Sequence, residues 1–335
     1  MIVFYLLATA LAACAGFLNF FEDLAFLNSF GLLECVSAAL LVLAAVGFKK
    51  KSPAGLLSIY ISSIIVAVSA ATLVCYLAKG ASDILLPINL LYISQALAPY
   101  FISIPLTICL TTKRDPITTA IIAICALSVF VMTTNCLSIF VTYDHFGFDA
   151  FEFYIADINN EYMKMYGEQN MGVLAQKVFV SFMTRASVSL LPGIFIMLSV
   201  VQVFASLFIL RILLKDRIKE FHKGPWAVSL STASAIINIV CIVVFMSSFF
   251  TTSVTVLSAV AGNVMLILAP ASIILGFAFL IIGFHKGGFF NVVCSALPIL
   301  MLIIAPPLAI IYVSFIGSSS LIFSRIAAAI FKIKQ

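Results

Sequence analysis

Apolar runs of twenty or more residues alternate with short charged stretches along this chain. A helix needs about 20 apolar residues to cross the hydrocarbon layer of a bilayer, so the pattern predicts an all-α polytopic transmembrane helix bundle of about nine spans. Five spans fall in 1–142, at 1–21, 24–48, 56–78, 84–110 and 117–142. The remaining spans, at 187–210, 227–250, 254–284 and 289–316, fall in 178–316. The whole of 1–335 reads as a single membrane domain with no independent soluble part.

Two runs depart from a simple span. Residues 84–110 carry Pro87, Pro99 and Pro105, and 254–284 carry Gly262 and Pro270. Proline removes a backbone donor and crowds the preceding turn, so both runs are expected to be kinked or broken. The second is also too long for one upright crossing, and a half-helix plus a span would account for it. Between spans, 143–177 forms the only large polar connection on its side. Phe151, Ile155, Ile158, Tyr162 and Met165 recur there at helical spacing, which predicts an amphipathic helix. The end of the chain, 317–335, reads as a basic, weakly amphipathic tail.

Charge gives the orientation. Lys49 to Lys51, Lys113, Arg114, Lys286 and five Lys/Arg residues between Arg211 and Lys223 follow the even-numbered spans. The positive-inside rule therefore places the 211–224 linker and the N-terminus in the cytoplasm, with 143–177 outside. Nine spans leave Arg325, Lys332 and Lys334 on the far side, and an extra crossing in 254–284 would remove that conflict.

Composition agrees: 64% of residues are hydrophobic, 9% are charged, and the mean hydropathy is +1.24. A net charge of +5, split among short clusters, gives no continuous basic face, which argues against nucleic acid as a partner. The eight cysteines stand singly in apolar runs, without CxxC or Cys/His spacing. Leu11 to Cys14 imitates a lipoprotein cleavage box, but no Lys or Arg precedes it and the apolar run continues to Phe21, so a first span is expected. Asp144, His145, Asp149 and Glu152 match no zinc or calcium spacing. HExxH, GxSxG, Walker and GxGxxG patterns are missing, so the expectation is a non-enzyme without cofactor or metal.

The chemistry that remains lies inside the spans. Glu34 is the one acid within a predicted span; a charge at mid-bilayer costs about 2.5–3.5 kcal/mol on insertion scales and so marks a ligand, a proton or a partner, unless it reaches the interface. Asn89, Gln95 and Asn263 adjoin Pro or Gly breaks, where unwound backbone can line a binding cavity. Ordinary interhelical hydrogen bonding is the competing account of these amides and of Asn135, Gln202, Asn238 and Asn291.

Tyr162, Tyr166, Leu191-Pro192, Arg211, Pro225-Trp226, Gly276-Phe277-Ala278-Phe279, His285-Lys286, Pro306-Pro307, Gly317 and Arg325 together resemble the YybS-like family of bacterial membrane proteins. That resemblance, over about half the chain, implies the bacterial cytoplasmic membrane and a distant similarity to substrate-binding subunits of energy-coupling-factor transporters. Such subunits capture a small molecule and dock on an energising module through small residues of their first helix; Ala8, Ala12 and Gly16 have that spacing here. Where the family often carries an acid between the last Gly and Arg, this chain has Ser320. Small-molecule capture or transport with Glu34, Asn89, Gln95 and Asn263 is the expected function; a membrane scaffold or regulatory partner with no ligand is the alternative.

Overall fold

The computed structural model describes residues 1–20, 31–47, 53–80, 87–112, 116–143, 149–166, 173–213, 230–286 and 306–333, with a few positions between 293 and 301. The elements in order are α1 (Ile2–Phe20), α2 (Leu32–Gly47), α3 (Pro53–Lys79), α4 (Pro87–Ser94), a 3-10 turn (Gln95–Leu97) and α5 (Ala98–Thr112). They continue with α6 (Pro116–Thr142), α7 (Ala150–Tyr166), α8 (Val173–Leu213), α9 (Thr232–Thr251), α10 (Val256–Lys286) and α11 (Pro306–Ile333). No strand occurs among the described residues. Among the described residues, seven helical segments are long and apolar enough to cross a membrane, and α1 and α2 are shorter apolar helices.

Local chemistry explains where the helices begin. Pro53, Pro87, Pro116 and Pro306 each occupy a first helical position, where the missing N–H has no intrahelical partner to lose. Ser231 caps α9 by accepting from the Ser234 N–H at 3.0 Å. At the start of α10, Thr255 and Ser258 cap each other: the Ser258 N–H donates to Thr255 Oγ1 at 3.2 Å and the Thr255 N–H donates to Ser258 Oγ at 2.9 Å.

The chain forms two compact units. Residues 1–154 and 198–226 form the first, and 155–197 and 227–335 form the second. In the first unit, α1 packs on α2, α3, α4 and the 3-10 turn, while α5 packs on α2 and α6. Its core combines small residues of α1 and α2 with Leu41, Ile102, Leu106, Leu127, Leu207 and Leu210. In the second, α9, α10 and α11 pack on one another.

Three expectations change. The 254–284 run is not split: α10 is one helix of 31 residues with Pro270 inside it, and no extra crossing arises there. At 1.5 Å per residue it is about 46 Å long, which tilt accommodates in a bilayer of about 30 Å. The 317–335 tail is not a separate element, because α11 runs unbroken from Pro306 to Ile333 and its span-like part, Ala309–Ile326, crosses that boundary. The polar connection is also shorter than 143–177, since α8 begins at Val173 and takes Lys177 and Arg185 into its first turns. By contrast, the break in 84–110 is present as the 3-10 turn, and the amphipathic helix is α7. The 211–224 linker lies outside the described residues except for its first three positions, which end α8.

Candidate functional site

Glu34 stands in the first turn of α2, where a carboxylate faces the positive end of the helix dipole. It is only 4% exposed, and among the described residues it is the only charged side chain in the buried set. Gly31, three residues earlier, has φ +64°. A Cβ there would run into the Gln202 carboxamide, so glycine serves both the left-handed turn and the close seat of that amide. Cys35 Sγ donates to the Gln202 carbonyl at 3.5 Å, and Ser206 Oγ donates to the same carbonyl at 2.8 Å. The structure thus brings the start of α2, Gly31 and Cys35 on either side of Glu34, onto Gln202, 168 positions after Glu34 in the chain. A buried acid at a helix start can hold a proton, or a neutral or cationic hydrogen-bonding group.

Gln95 opens the 3-10 turn that breaks the fourth run, and Asn89 sits in the first turn of α4; both are half-buried. Gln95 Nε2 donates to Thr134 Oγ1 of α6 at 3.5 Å, a long bond. The small-residue face of α1 lies against the same turn. Ala8 and Ala12 are fully buried, and a Cβ on Gly16 would come within 2.9 Å of Ala96 Cβ and 3.0 Å of the Ile93 carbonyl. The close approach implied by Ala8, Ala12 and Gly16 is therefore made to the chain's own helices, and an energising module could reach that face only by displacing them.

Asn263 belongs to the second unit. Its Nδ2 donates to the Ser189 and Ala259 carbonyls, both at 2.8 Å, and its Oδ1 accepts the Gly193 N–H at 2.5 Å. A Cβ on Gly193 would lie 2.6 Å from that Oδ1, so the contact needs glycine. The residue expected to face a cavity is instead a clamp between α8 and α10 beside Pro192.

Two polar clusters escaped the sequence reading. In the first unit, Tyr100 OH, Ser63 Oγ and Thr9 Oγ1 are joined at 2.8 and 2.7 Å, and Thr9 donates to the Tyr5 carbonyl at 2.8 Å. The direction is fixed, because the Thr9 proton goes to main chain; Ser63 must donate to Thr9 and Tyr100 to Ser63. A chain that ends on a peptide carbonyl locks helices together and relays nothing. Tyr60 adds bonds to Thr107 Oγ1 and the Ser103 carbonyl at 2.5 and 3.1 Å.

In the second unit, fully buried Asn238 of α9 donates to Ser314 and Ser318 of α11 at 3.0 and 2.8 Å, and Ser314 meets Ser272 of α10 at 2.6 Å. Asn238 Oδ1 meets no hydrogen-bond partner among the described residues. Gly276 and Gly317 bring α10 and α11 into main-chain contact: a Cβ on the first would collide with the Val313 carbonyl, and on the second with the Ser272 carbonyl. Single serines in an apolar run carry no period, so the sequence offered no signal beyond Asn238 itself.

Among the described residues no group of three His, Cys, Asp or Glu could hold a metal ion. Asp144 and His145 lie outside the described residues. An open groove of about 490 Å³ runs along α10 and α11, lined by Phe279, Phe315, Ile316, Phe323, Ser319, Ser320 and Ser324. Ser320 therefore contributes to a shallow, mostly apolar surface.

The family model described as a predicted membrane protein, DUF2232, matches residues 62–319, and the chain belongs to that family. No curated protein and no solved structure matches it.

Proposed function

We propose that this member of the DUF2232 family of predicted membrane proteins is a non-catalytic membrane subunit that works by association, as a scaffold or regulatory partner of other membrane components. The observation that carries this reading is Asn263. Of the amides expected to line a cavity, it is committed to one carbonyl of its own helix and two groups of α8, as an association protein with internally paired polar residues requires. The test is purification in mild detergent followed by native mass spectrometry. A retained protein partner without ligand supports the proposal; a chain that carries a stoichiometric small molecule and no partner overturns it.

A second reading, small-molecule capture like that of an energy-coupling-factor substrate-binding subunit, is favoured by Glu34. A carboxyl at 4% exposure in an apolar helix is costly unless it serves a ligand or proton. Under this reading Glu34 and Gln202 replace the set Glu34, Asn89, Gln95 and Asn263 as the recognition pair. Native spectra then show a bound small molecule that Glu34→Gln releases; a spectrum unchanged by that substitution rejects the reading. The YybS-like likeness supports placement in a bacterial cytoplasmic membrane, and the Lys/Arg distribution supports a cytoplasmic N-terminus. Reporter fusions at the N-terminus and at 143–148 test that orientation.

A further inference from the structure

Gln95 and Asn135 are two amides whose hydrogen-bonding capacity is largely unused among the described residues. The Gln95 carboxamide reaches Thr134 of α6, and Asn135 is the next residue of that helix, so the two amides stand at a similar level of the first unit. Both are half-buried. Gln95 makes only the 3.5 Å bond to Thr134, and Asn135 makes only an Nδ2–H bond to the Val131 carbonyl of its own helix at 2.8 Å. A carboxamide carries two N–H donors and an oxygen with two lone pairs. Each residue therefore keeps one N–H and a whole carbonyl oxygen that meet no group among the described residues.

Depth makes this costly. The spans are Asn89–Thr112 and Thr118–Thr142, so both amides lie on the order of 10 Å inside the ends of their helices at 1.5 Å per residue. Lipid chains offer no donor, and these short side chains cannot reach back to the interface as Lys or Arg does. The flanks are apolar and open: Leu90 and Leu137 are 47% and 46% exposed.

We infer that this face is a contact between two copies of the chain, with Gln95 and Asn135 of one copy hydrogen-bonded to the same residues of the other. The set is self-complementary, because each amide lacks both a donor and an acceptor of the same kind that it offers. A two-fold arrangement supplies both without any other chemistry. The inference rests on the association reading and names the first associate as a second copy.

The test is native mass spectrometry of the full chain in lipid nanodiscs and dilute detergent over a range of concentrations, with Asn135→Leu as the main variant. Asn135 hydrogen-bonds only to its own helix, so Asn135→Leu removes no tertiary hydrogen bond, and an unchanged unfolding temperature verifies that it folds. The wild type is expected to be dimeric, and Asn135→Leu to raise the dimer dissociation constant about tenfold or more. Gln95→Leu, which also loses the Thr134 bond, is expected to act in the same direction. A monomeric wild type, or a dimer indifferent to Asn135→Leu, overturns the inference. If the wild type is a monomer that retains a different membrane protein, the two-copy contact falls while the association reading stands. If it retains nothing, both fall.

Discussion

The main-chain N–H of Gly193 donates to Oδ1 of Asn263 at 2.5 Å while Nδ2 of Asn263 donates to the carbonyl of Ser189 at 2.8 Å. Ser189 and Gly193 are four residues apart in α8, the spacing of one rung of helical hydrogen bonding. The side chain from α10 thus serves both ends of a rung next to Pro192, the residue that disturbs the ladder at that point. A proline in a span creates a need for outside hydrogen bonds, and Asn263 meets it.

Asn263→Leu is accordingly expected to destabilise the protein by about 2–3 kcal/mol, since it leaves a donor and an acceptor at membrane depth without their amide. Thermal unfolding in detergent measures the loss. Gly193→Ala should cost a similar amount through the Cβ that would meet Asn263 Oδ1, and the double variant should cost less than the sum because both act on one contact.

Asn238→Leu should behave differently. It removes two hydrogen bonds but also deletes Oδ1, a buried acceptor with no partner, and Ser314 and Ser318 can turn to carbonyls of their own helix. A change of under about 1 kcal/mol is expected, against a clear loss for Asn238→Ala, which adds a cavity. Denaturant titration of the two variants side by side distinguishes them; an Asn238→Leu loss as large as that of Asn263→Leu refutes this account.

Gly317→Ala and Gly276→Ala should each prevent normal packing of α11 on α10, because the added Cβ meets main-chain oxygen that no side-chain rotation can move aside. Loss of the folded fraction, or at least about 3 kcal/mol, is expected. Gly80 is the control. Its φ of +89° makes alanine strained there, but no atom lies within 4 Å of the added Cβ, so Gly80→Ala should cost only about 1–2 kcal/mol.

Ala12→Leu tests the small-residue face of α1. The residue is fully buried in the first unit, so overpacking should lower the unfolding temperature of the isolated chain, a loss of about 1–3 kcal/mol. If instead stability is unchanged and only capture of a partner is lost, the α1 face is a docking surface after all.

Several of these features were legible in the sequence, and the reasons separate them from the rest. Spans follow from run length, the break near Gln95 from clustered prolines, and α7 from a helical period, all of which are local. Asn263 had the right signal, a Gly neighbour inside an apolar run, but its duty depends on Pro192, 71 positions away, which helix pairing alone brings near. Glu34 stands out in the sequence as an acid inside an apolar run, while the seat of Gln202 against the start of its helix depends on the turn at Gly31, which has no local signal. The join between span and tail in α11 was hidden by Gly317 and three consecutive serines, which resemble a helix end in water. In a span, hydroxyls that return to carbonyls one turn back are tolerated, as Ser320 does to Gly317 at 2.9 Å.

The 3-10 turn between α4 and α5 also sets direction. Three residues at about 120° each turn the chain roughly 60° further than three residues of α-helix at about 100° each. Side chains of α5 are therefore phased differently from those of α4, as though the lower half of one rod had been twisted by a sixth of a revolution. That phase shift lets a single crossing point one stripe at α1 and another at α2. Deleting one residue from Gln95–Leu97 would misalign one stripe with its neighbour even if every remaining side chain were unchanged.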